Sequence, residues 1–227
     1  MNTRIRRCIA FAVFAALPLV AGLSGSAEGA PINMDFGNGG AYSGTAAAPD
    51  TGTKWNSFAL SALNEAPLVD SHDAPTSVTL TKPAGNDYSN SAGGSGPAGD
   101  ALMRDYLWVK NGSSTITLGG LTPNATYDLY VYGLGDQTGQ SILVTLDAAN
   151  GGAVGNTTGP KRSPLNEGEN WIKLTPNADS SGDISFTWRN RDSEYGGLNG
   201  LQLDIPEPAT LSLLILGGLG LLRRRRR

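Results

Sequence analysis

The stretch Thr126-Tyr-Asp-Leu-Tyr-Val-Tyr132 decides how the middle of this 227-residue chain should fold. One face of it would carry Tyr127, Leu129 and Val131, and the other would carry Asp128 and two further tyrosines. Successive side chains of a strand point to opposite faces, so this alternation predicts a β-strand.

Short apolar or alternating runs of this kind recur between turn signals through residues 31–205. In Asp183–Trp188 and Gly200–Ile205 every second side chain is large and apolar. The runs that we predict to be strands are Ile32–Phe36, Trp55–Leu63, Thr76–Thr81, Ala101–Val109, Ser114–Leu118, Thr126–Tyr132, Ser141–Leu146, Trp171–Leu174, Asp183–Trp188 and Gly200–Ile205. Since a period of two with one buried face is typical of antiparallel sheets, these runs predict an all-β domain, an antiparallel β-sandwich of jelly-roll type.

Two long stretches carry turn residues and lack helical periodicity. Ala84–Gly99 holds five glycines, two asparagines and three serines, and Ala148–Pro164 is similar. We predict both stretches to be loops, and we expect little helix outside the two ends of the chain.

The charge of the chain is distributed unevenly. Eight of the 17 basic residues lie at the two ends, whereas all 20 acidic residues lie between Glu28 and Pro208. Contacts with phosphate groups need Lys and Arg. Because the middle of the sequence is strongly acidic, we predict no nucleic-acid partner.

The N-terminal residues have the three parts of a secretory signal. Arg4, Arg6 and Arg7 precede an apolar run, Cys8–Leu23, which is followed by small residues. We predict a signal helix that directs the chain to the export translocon, with cleavage after Ala27; an uncleaved membrane anchor is the alternative. Cys8 is the single cysteine of the chain, so the mature protein would have no disulfide.

The C-terminal residues read Pro206-Glu207-Pro208, then the uncharged run Ala209–Leu222, then five arginines. As a helix, this run would span about 21 Å, which is short for a membrane helix. A buried helix cannot end in an arginine cluster, whereas a membrane helix can hold one in the cytoplasm. We therefore predict a transmembrane helix over residues 209–222, stopped by Arg223, Arg224, Arg225, Arg226 and Arg227.

These last 22 residues closely resemble the PEP-CTERM sorting tail of Gram-negative bacteria, with Pro206, Glu207 and Pro208 as the sorting motif. The resemblance implies that exosortase, a membrane-embedded transpeptidase-like enzyme, processes the protein near the motif. It also implies an inner-membrane precursor with a cytoplasmic C-terminus, and then a place at the cell surface or in a matrix of exopolysaccharide and biofilm.

The predicted domains are therefore a signal peptide (1–27), a β-sandwich (28–205) and a sorting tail (206–227). The sandwich has its own resemblances. Gly120–Tyr130 is similar to a loop and strand of extracellular sandwich modules, in which Leu121 would plug the sandwich end, Pro123 would set the turn and Tyr127 would enter the core. Phe36-Gly37 and Asn199–Gln202 are similar to short segments of the domains that precede this sorting tail in other proteins.

A search for catalytic patterns gives a weak candidate. Asp70-Ser71-His72-Asp73 has the composition of a catalytic triad, but triad members converge from separate elements, so we expect a solvent-facing His72. We predict no catalytic residue, no metal site and no cofactor. Calcium is a weaker possibility in a late acidic cluster, although calcium-loop spacing is missing. That cluster is Asp179, Asp183, Asp192 and Glu194.

Aromatic residues give the best candidates for binding. Sugar-binding sandwiches stack sugar rings on exposed aromatic faces, and Tyr88 and Tyr195 lie in polar, glycine-rich stretches where we expect them to be exposed. We expect most of the four tryptophans to be in the core; these are Trp55, Trp108, Trp171 and Trp188.

Three hypotheses about function follow. The first is a non-catalytic surface or matrix protein associated with exopolysaccharide. The second is a carbohydrate-binding module that uses Tyr88 and Tyr195. The third, a glycan-active enzyme, would need a cleft with two carboxylates about 5–9 Å apart.

Overall fold

The computed structural model describes residues 29–38, 42–50, 52–89, 101–135, 139–159 and 164–204. The predicted signal helix, the Pro-Glu-Pro motif, the membrane helix and the arginine cluster lie outside these residues. Within the described ranges, no helix has the length and apolar character to cross a bilayer. The strands there are β1 (Ile32–Phe36), β2 (Asn56–Phe58), β3 (Leu63–Val69), β4 (Pro75–Lys82), β5 (Asn86–Ser89), β6 (Asp105–Lys110), β7 (Ser113–Gly119), β8 (Asp128–Tyr132), β9 (Ile142–Leu146), β10 (Val154–Asn156), β11 (Trp171–Leu174), β12 (Ile184–Asn190), β13 (Tyr195–Leu198) and β14 (Gly200–Asp204).

Two large sheets form a sandwich, which confirms the all-β prediction. One has five strands in the order β11-β8-β14-β1-β2, and the other has six in the order β10-β9-β12-β7-β4-β3. The first described strand pairs with the last, and β12 lies between β7 and β9. Among the strands of the described residues, pairing is antiparallel except that the three-residue β2 runs parallel to β1.

The core lies between the two large sheets, and the alternating runs supply it. Leu129 and Val131 of β8 face Ile184 and Phe186 of β12 in one cluster, and all four are fully buried. Tyr127 also enters this cluster, and its hydroxyl accepts a hydrogen bond from the backbone N–H of Thr122 at 2.9 Å.

The predicted packing of the segment before β8 is confirmed for Leu121 and for Tyr127, which both enter the main core. Leu121 is buried in the main core, where its backbone N–H donates to Gly182 O at 3.0 Å. Asn124 adopts a positive φ of 60°, a conformation that asparagine tolerates better than most residues, so the chain can turn back toward Tyr127.

A third sheet, the cap sheet, closes one end of the sandwich. Its strand order is β13-β6-β5. β13 connects β12 of the six-stranded sheet to β14 of the five-stranded sheet, while Leu107 and Leu198 on the inner face join the main core. The cap sheet thus bridges the two large sheets.

Asn199 fixes the cap sheet to the sandwich from a fully buried position. Its side chain accepts a hydrogen bond from Leu134 N at 2.8 Å and donates one to Asp105 O at 2.9 Å. Its backbone carbonyl accepts a hydrogen bond from the N–H of Phe36 at 2.8 Å. The segments Phe36-Gly37 and Asn199–Gln202, both singled out in the sequence, therefore contact each other.

Both ends of the described domain lie at the pole opposite the cap sheet. β1 begins at Ile32 and β14 ends at Asp204, and the antiparallel register sets Ile32 opposite Leu203. The cap sheet joins the other end of β14, at Asn199. The end of β14 at Asp204 is therefore separated from the junction with the cap sheet at Asn199 by the length of β14, roughly 13 Å.

The outer face of the five-stranded sheet is buried as well, whereas the alternation predicted one buried face. Tyr130 and Tyr132 point to this outer face and pack in a second cluster with Trp55, Leu102 and Met103. Residues 42–50 help to cover it, and a polar network binds them to the sheet.

Gln202 is the centre of that network. Its Oε1 accepts hydrogen bonds from Ala48 N at 2.9 Å and from the Tyr132 hydroxyl, and its Nε2 donates to Asn33 Oδ1 at 2.8 Å. The Tyr132 hydroxyl also accepts Ala47 N at 2.7 Å. Burial raises the pKa of Tyr132, so the hydroxyl keeps its proton and can donate.

Several predicted boundaries are wrong. Trp55–Leu63 is not one strand, since β2 ends at Phe58 and β3 begins at Leu63. Ala101–Val109 opens with a short 3-10 turn, Ala101–Met103, before β6. The predicted loop Ala84–Gly99 contains β5, and the predicted loop Ala148–Pro164 contains β10, because each segment meets a partner strand that local composition does not reveal.

We expect Tyr132→Phe to destabilise the domain by about 1–3 kcal/mol, because it leaves the buried N–H of Ala47 without a partner and removes one of the two hydrogen bonds to Gln202 Oε1. Urea denaturation of the exported protein measures this loss. Tyr88→Phe is the control, since that side chain is 41% exposed; equal midpoints for the two variants would contradict the role of the network.

Candidate functional site

The outer face of the cap sheet carries four aromatic side chains in register. Tyr106 and Trp108 alternate with the inward Leu107 on β6. Tyr88 lies opposite Tyr106, and Tyr195 lies opposite Lys110. Residues directly opposite each other in antiparallel strands share a face, so the aromatic side chains form one surface. We call this set the cap aromatics: Tyr88, Tyr106, Trp108 and Tyr195.

The cap aromatics pack in two pairs. The rings of Tyr88 and Tyr106 are 5.4 Å apart between centroids, and those of Trp108 and Tyr195 are 5.6 Å apart at an interplanar angle of 67°. Tyr106 is buried, Trp108 and Tyr195 are half-buried, and Tyr88 is exposed. Ring surface is therefore open to solvent at three of the four positions.

Hydrogen bonding holds the Trp108 ring in place. Its indole N–H donates to Asp87 O on β5 at 3.1 Å, so the polar group of the ring is satisfied within the sheet. On the other side of β6, Gly197 of β13 lies opposite Trp108, and a Cβ there would come within 2.9 Å of Tyr106 Cδ2. Glycine at this position allows β13 to lie close against the aromatic side chains.

Lys110 gives this face a positive charge at one edge. Its Nζ lies 5.0 Å from the centroid of the Tyr195 ring and 3.4 Å from Glu194 Oε2. A hydrogen bond with Tyr195, followed by the interaction with Glu194, raises the pKa of Lys110, so the ammonium stays charged at neutral pH.

A cleft of about 340 Å³ opens beside the cap sheet. Trp108 and Asn86 line it together with the more deeply buried Trp188, whose indole nitrogen lacks a hydrogen-bond partner among the described residues. Lys82 also lines it; burial lowers the pKa of this lysine, and its Nζ donates to Ser61 O at 2.7 Å. Among the described residues that line the cleft, none is a carboxylate.

The structure places the two sequence-predicted binding residues on the same sheet, in strands and not in loops. Tyr88 belongs to β5 and Tyr195 to β13, the two strands that flank β6. Sequence patterns alone do not separate Trp108 from the core tryptophans, and they assign no role to Tyr106. The alternation Tyr106, Trp108, Lys110 was the signal that could have placed them on one face.

The expectation that most tryptophans are in the core holds for two of the four. Trp55 and Trp188 are 3% and 2% exposed. Trp171 is half-buried and packs over Tyr130, with ring centroids 5.7 Å apart, on the outer face of the five-stranded sheet. Trp108 is thus the tryptophan on the open face of the cap sheet.

The residues Asp70–Asp73 form the turn between β3 and β4. Asp70 Oδ1 accepts the backbone N–H groups of His72 and Ala74, each at 2.9 Å, so its carboxylate shapes the turn. Ser71 Oγ lies 3.2 Å from His72 Nδ1, and His72 is exposed as expected. These are neighbours within one turn, at the pole opposite the cap aromatics.

The predicted late acidic cluster separates into two pairs at opposite ends of β12. Asp179 and Asp183 share the turn that precedes β12, where Asp179 Oδ1 accepts Asp183 N at 3.0 Å. Asp192 and Glu194 follow β12 and bind Arg191 and Lys110. The described residues contain no group of three acidic, histidine or cysteine side chains arranged to hold a metal, so the cluster as predicted does not exist.

Comparisons with known proteins give one family and several distant structures. Residues 204–227 match the family described as the PEP-CTERM protein-sorting motif. A search of curated proteins gives no match to this chain.

Among solved structures, the chain is similar to an exo-β-1,3-galactanase from Phanerochaete chrysosporium with bound β-1,3-galactotriose, at 19% identity and a TM-score of 0.33, over 57% of this chain and 30% of the galactanase. A carbohydrate-binding module of lichenase 5A from Cellvibrio mixtus, in complex with cellotriose, matches at 12% identity and a TM-score of 0.29, over 58% of this chain and 88% of the module. An adhesin domain of Lys-gingipain from Porphyromonas gingivalis matches at 11% identity and a TM-score of 0.30, over 58% of this chain and 99% of that domain.

Since each TM-score is low, none of these likenesses carries an argument about function. The match to the sorting motif is of another kind, because its residues include the Pro-Glu-Pro sequence, the apolar run and the arginine cluster in their required order. Residues 204–227 of this chain are therefore a PEP-CTERM protein-sorting motif.

Proposed function

We propose that this chain is an exported, exosortase-processed surface protein whose β-sandwich binds carbohydrate through the cap aromatics, without catalysing a reaction. The observation that carries this proposal is the open aromatic face of the cap sheet. Large apolar side chains usually leave solvent when a domain folds, so three partly open rings on one face favour a binding surface.

The chemistry of the face fits a neutral glycan. The C–H groups of a pyranose ring form an apolar surface that can pack on an aromatic ring, while its hydroxyl groups need hydrogen-bond partners. Trp108 and Tyr195 offer the rings, and Asn86 and Lys110 lie beside them. The acidic interior of the chain repels polyanions, which favours an uncharged polysaccharide as the ligand.

The position of the cap sheet supports binding away from the membrane. β14 ends at Asp204, the first residue of the sorting motif, and the cap sheet lies at the other end of this strand. While the tail holds the precursor in the inner membrane with its C-terminus in the cytoplasm, the cap aromatics would face outward. After processing, the same face would be free to bind exopolysaccharide at the cell surface or in the matrix.

The cleft beside the cap sheet does not favour a glycosidase. A glycosidase needs two carboxylates across its substrate, and the described residues that line this cleft include none. We propose instead that this cleft holds an extension of the bound glycan, which would approach the unpartnered indole N–H of Trp188.

We expect Trp108→Ala and Tyr195→Ala each to weaken glycan binding by at least about tenfold, or ~1.4 kcal/mol, because each removes ring surface from the centre of the face. Glycan arrays, followed by titration with the polysaccharide of the producing cells, measure this loss on the exported protein. Val154→Ala is the matched control, since Val154 is 59% exposed on β10, an edge strand of the six-stranded sheet that is not paired with the cap sheet. Binding that is equal in all variants would refute the proposed site.

We also expect replacement of Pro206, Glu207 and Pro208 by alanine to leave a larger species in the membrane fraction, because processing depends on the motif. Immunoblots and intact-mass measurements of membrane, surface and medium fractions test this. Thr210→Ala, a change in the adjoining apolar run, should leave both size and location unchanged. A motif variant that reaches the surface at the wild-type mass would contradict processing at this motif.

A further inference from the structure

The sorting motif follows the folded domain almost without a connecting segment. Asp204 is both the last residue of β14 and the first residue of the matched motif, and only Ile205 separates it from Pro206. A fully extended chain spans at most about 3.6 Å per residue, so Pro208 can lie no more than about 14 Å from Asp204. An enzyme that processes the chain at the motif must therefore work beside the folded sandwich.

β14 cannot readily supply more length. It lies between β8 and β1 in the five-stranded sheet, and its register sets Leu203 opposite both Leu129 and Ile32. All three side chains are fully buried. Release of the end of the strand would expose Leu203 and break backbone hydrogen bonds on both sides. The fold thus fixes the place where the chain leaves the domain.

One flank of this place is the turn between β3 and β4. Pro31, which precedes β1, comes next to Asp204 when the antiparallel register is continued. The Pro31 carbonyl accepts the backbone N–H of Ser71 at 2.8 Å, so the turn Asp70–Asp73 is held against the chain exit. The exposed His72 lies on this turn.

The other flank is formed by the start of β8 and the end of β11. Asp128 lies opposite Asp204 in the register of β8 and β14. Its carboxylate binds Lys173 Nζ at 2.7 Å and accepts a hydrogen bond from the hydroxyl of the exposed Thr175 at 3.2 Å. We call the two flanks together the exit surface: Asp70–Asp73, Asp128, Lys173 and Thr175.

The charges of the exit surface suit a transient partner. Asp73 lies 3.0 Å from Lys54 Nζ, and Asp128 is paired with Lys173; the four side chains are between 33% and 64% exposed. Partly exposed ion pairs can exchange partners, and transient interfaces are more polar than permanent ones. A processing enzyme must release its product, so a polar surface of this kind fits such an enzyme.

The short reach of the chain brings the enzyme against this surface. A single helix beside the bound motif would be about 10–12 Å wide with its side chains, which is close to the whole reach from Asp204 to Pro208. We infer that the exit surface docks against the membrane-embedded exosortase, which recognises the folded end of the domain together with Pro206-Glu207-Pro208. This inference rests on the proposed processing by exosortase, and it is independent of what the cap aromatics bind.

Pulse-chase measurement of processing, with the full chain in the cells that export it, tests this docking. The double variant His72→Trp/Thr175→Trp puts a bulky ring on each flank, and we expect processing to slow by about tenfold, because overpacking weakens a close contact. Glu167→Trp is the matched control and should be processed at the wild-type rate. Glu167 is exposed and bridges to Trp171, at the cap-sheet end of β11. Similar midpoints in urea would show that both variants fold.

The double variant is then measured with a flexible linker of about 20 Gly and Ser residues inserted after Ile205. Such a linker has a root-mean-square length of about 25 Å, so the enzyme can bind the motif away from the domain. We expect the two tryptophans to have no effect in this context. Loss of all processing in the linker form would also support docking, because the motif alone would then be insufficient. Equal rates for the double variant and Glu167→Trp without the linker would overturn the inference, as would slowing that persists with the linker.

The alanine variant of Pro206, Glu207 and Pro208 separates this inference from the proposed processing. If that variant is processed like the wild type, processing at the motif is refuted. If it stays unprocessed while the two tryptophans have no effect, docking alone is refuted.

If the double variant fails to fold, photocrosslinking provides a second measurement. The photoreactive residue p-benzoylphenylalanine in place of His72 should crosslink to an epitope-tagged, catalytically inactive exosortase, and the same residue in place of Glu167 should not. Equal crosslinking at the two positions, or none at either, refutes the docking.

Discussion

The pairing of β1 with β14 is the contact on which the rest of the structure depends. It joins the first strand to the last from Ile32 opposite Leu203 to Asp35 opposite Gly200, and it closes the five-stranded sheet. The same pairing brings Asn199 against Phe36 and Asp105, so it also fixes the cap sheet. One pole of the domain consequently carries the start of β1 and the end of β14, and the other carries the cap aromatics.

The five-stranded sheet and the cap sheet differ in which side chains they bury on their outer faces. The outer face of the five-stranded sheet buries Asn33, Gln202 and the Tyr132 hydroxyl in a network where each polar group has a partner. The cap sheet does the reverse and leaves Trp108 and Tyr195 partly open. A buried polar network fixes the fold only when it is fully satisfied, whereas open rings contribute little to folding, so the second feature indicates binding.

Period-two alternation predicted the strands that build the main core. A strand with one face toward the core has an apolar residue at every second position of its own sequence. It could not predict β5 or the role of β13. Asn86–Ser89 lies in a glycine- and serine-rich segment, and it becomes a strand because β6 offers it a partner. Gly196 and Gly197 weaken the strand signal of β13, yet close packing against Tyr106 requires glycine at position 197.

We propose that the outer face of the cap sheet binds a neutral glycan while the sandwich supports it at a distance from the sorting tail. Backbone NMR spectra of the exported protein, recorded during titration with neutral oligosaccharides from the producing cells, test it most directly. We expect chemical-shift changes confined to β5, β6, β13 and the adjoining cleft, together with a shifted Trp108 indole N–H resonance. Changes centred on the pole of Ile32 and Asp204, with the cap sheet unaffected, would contradict it.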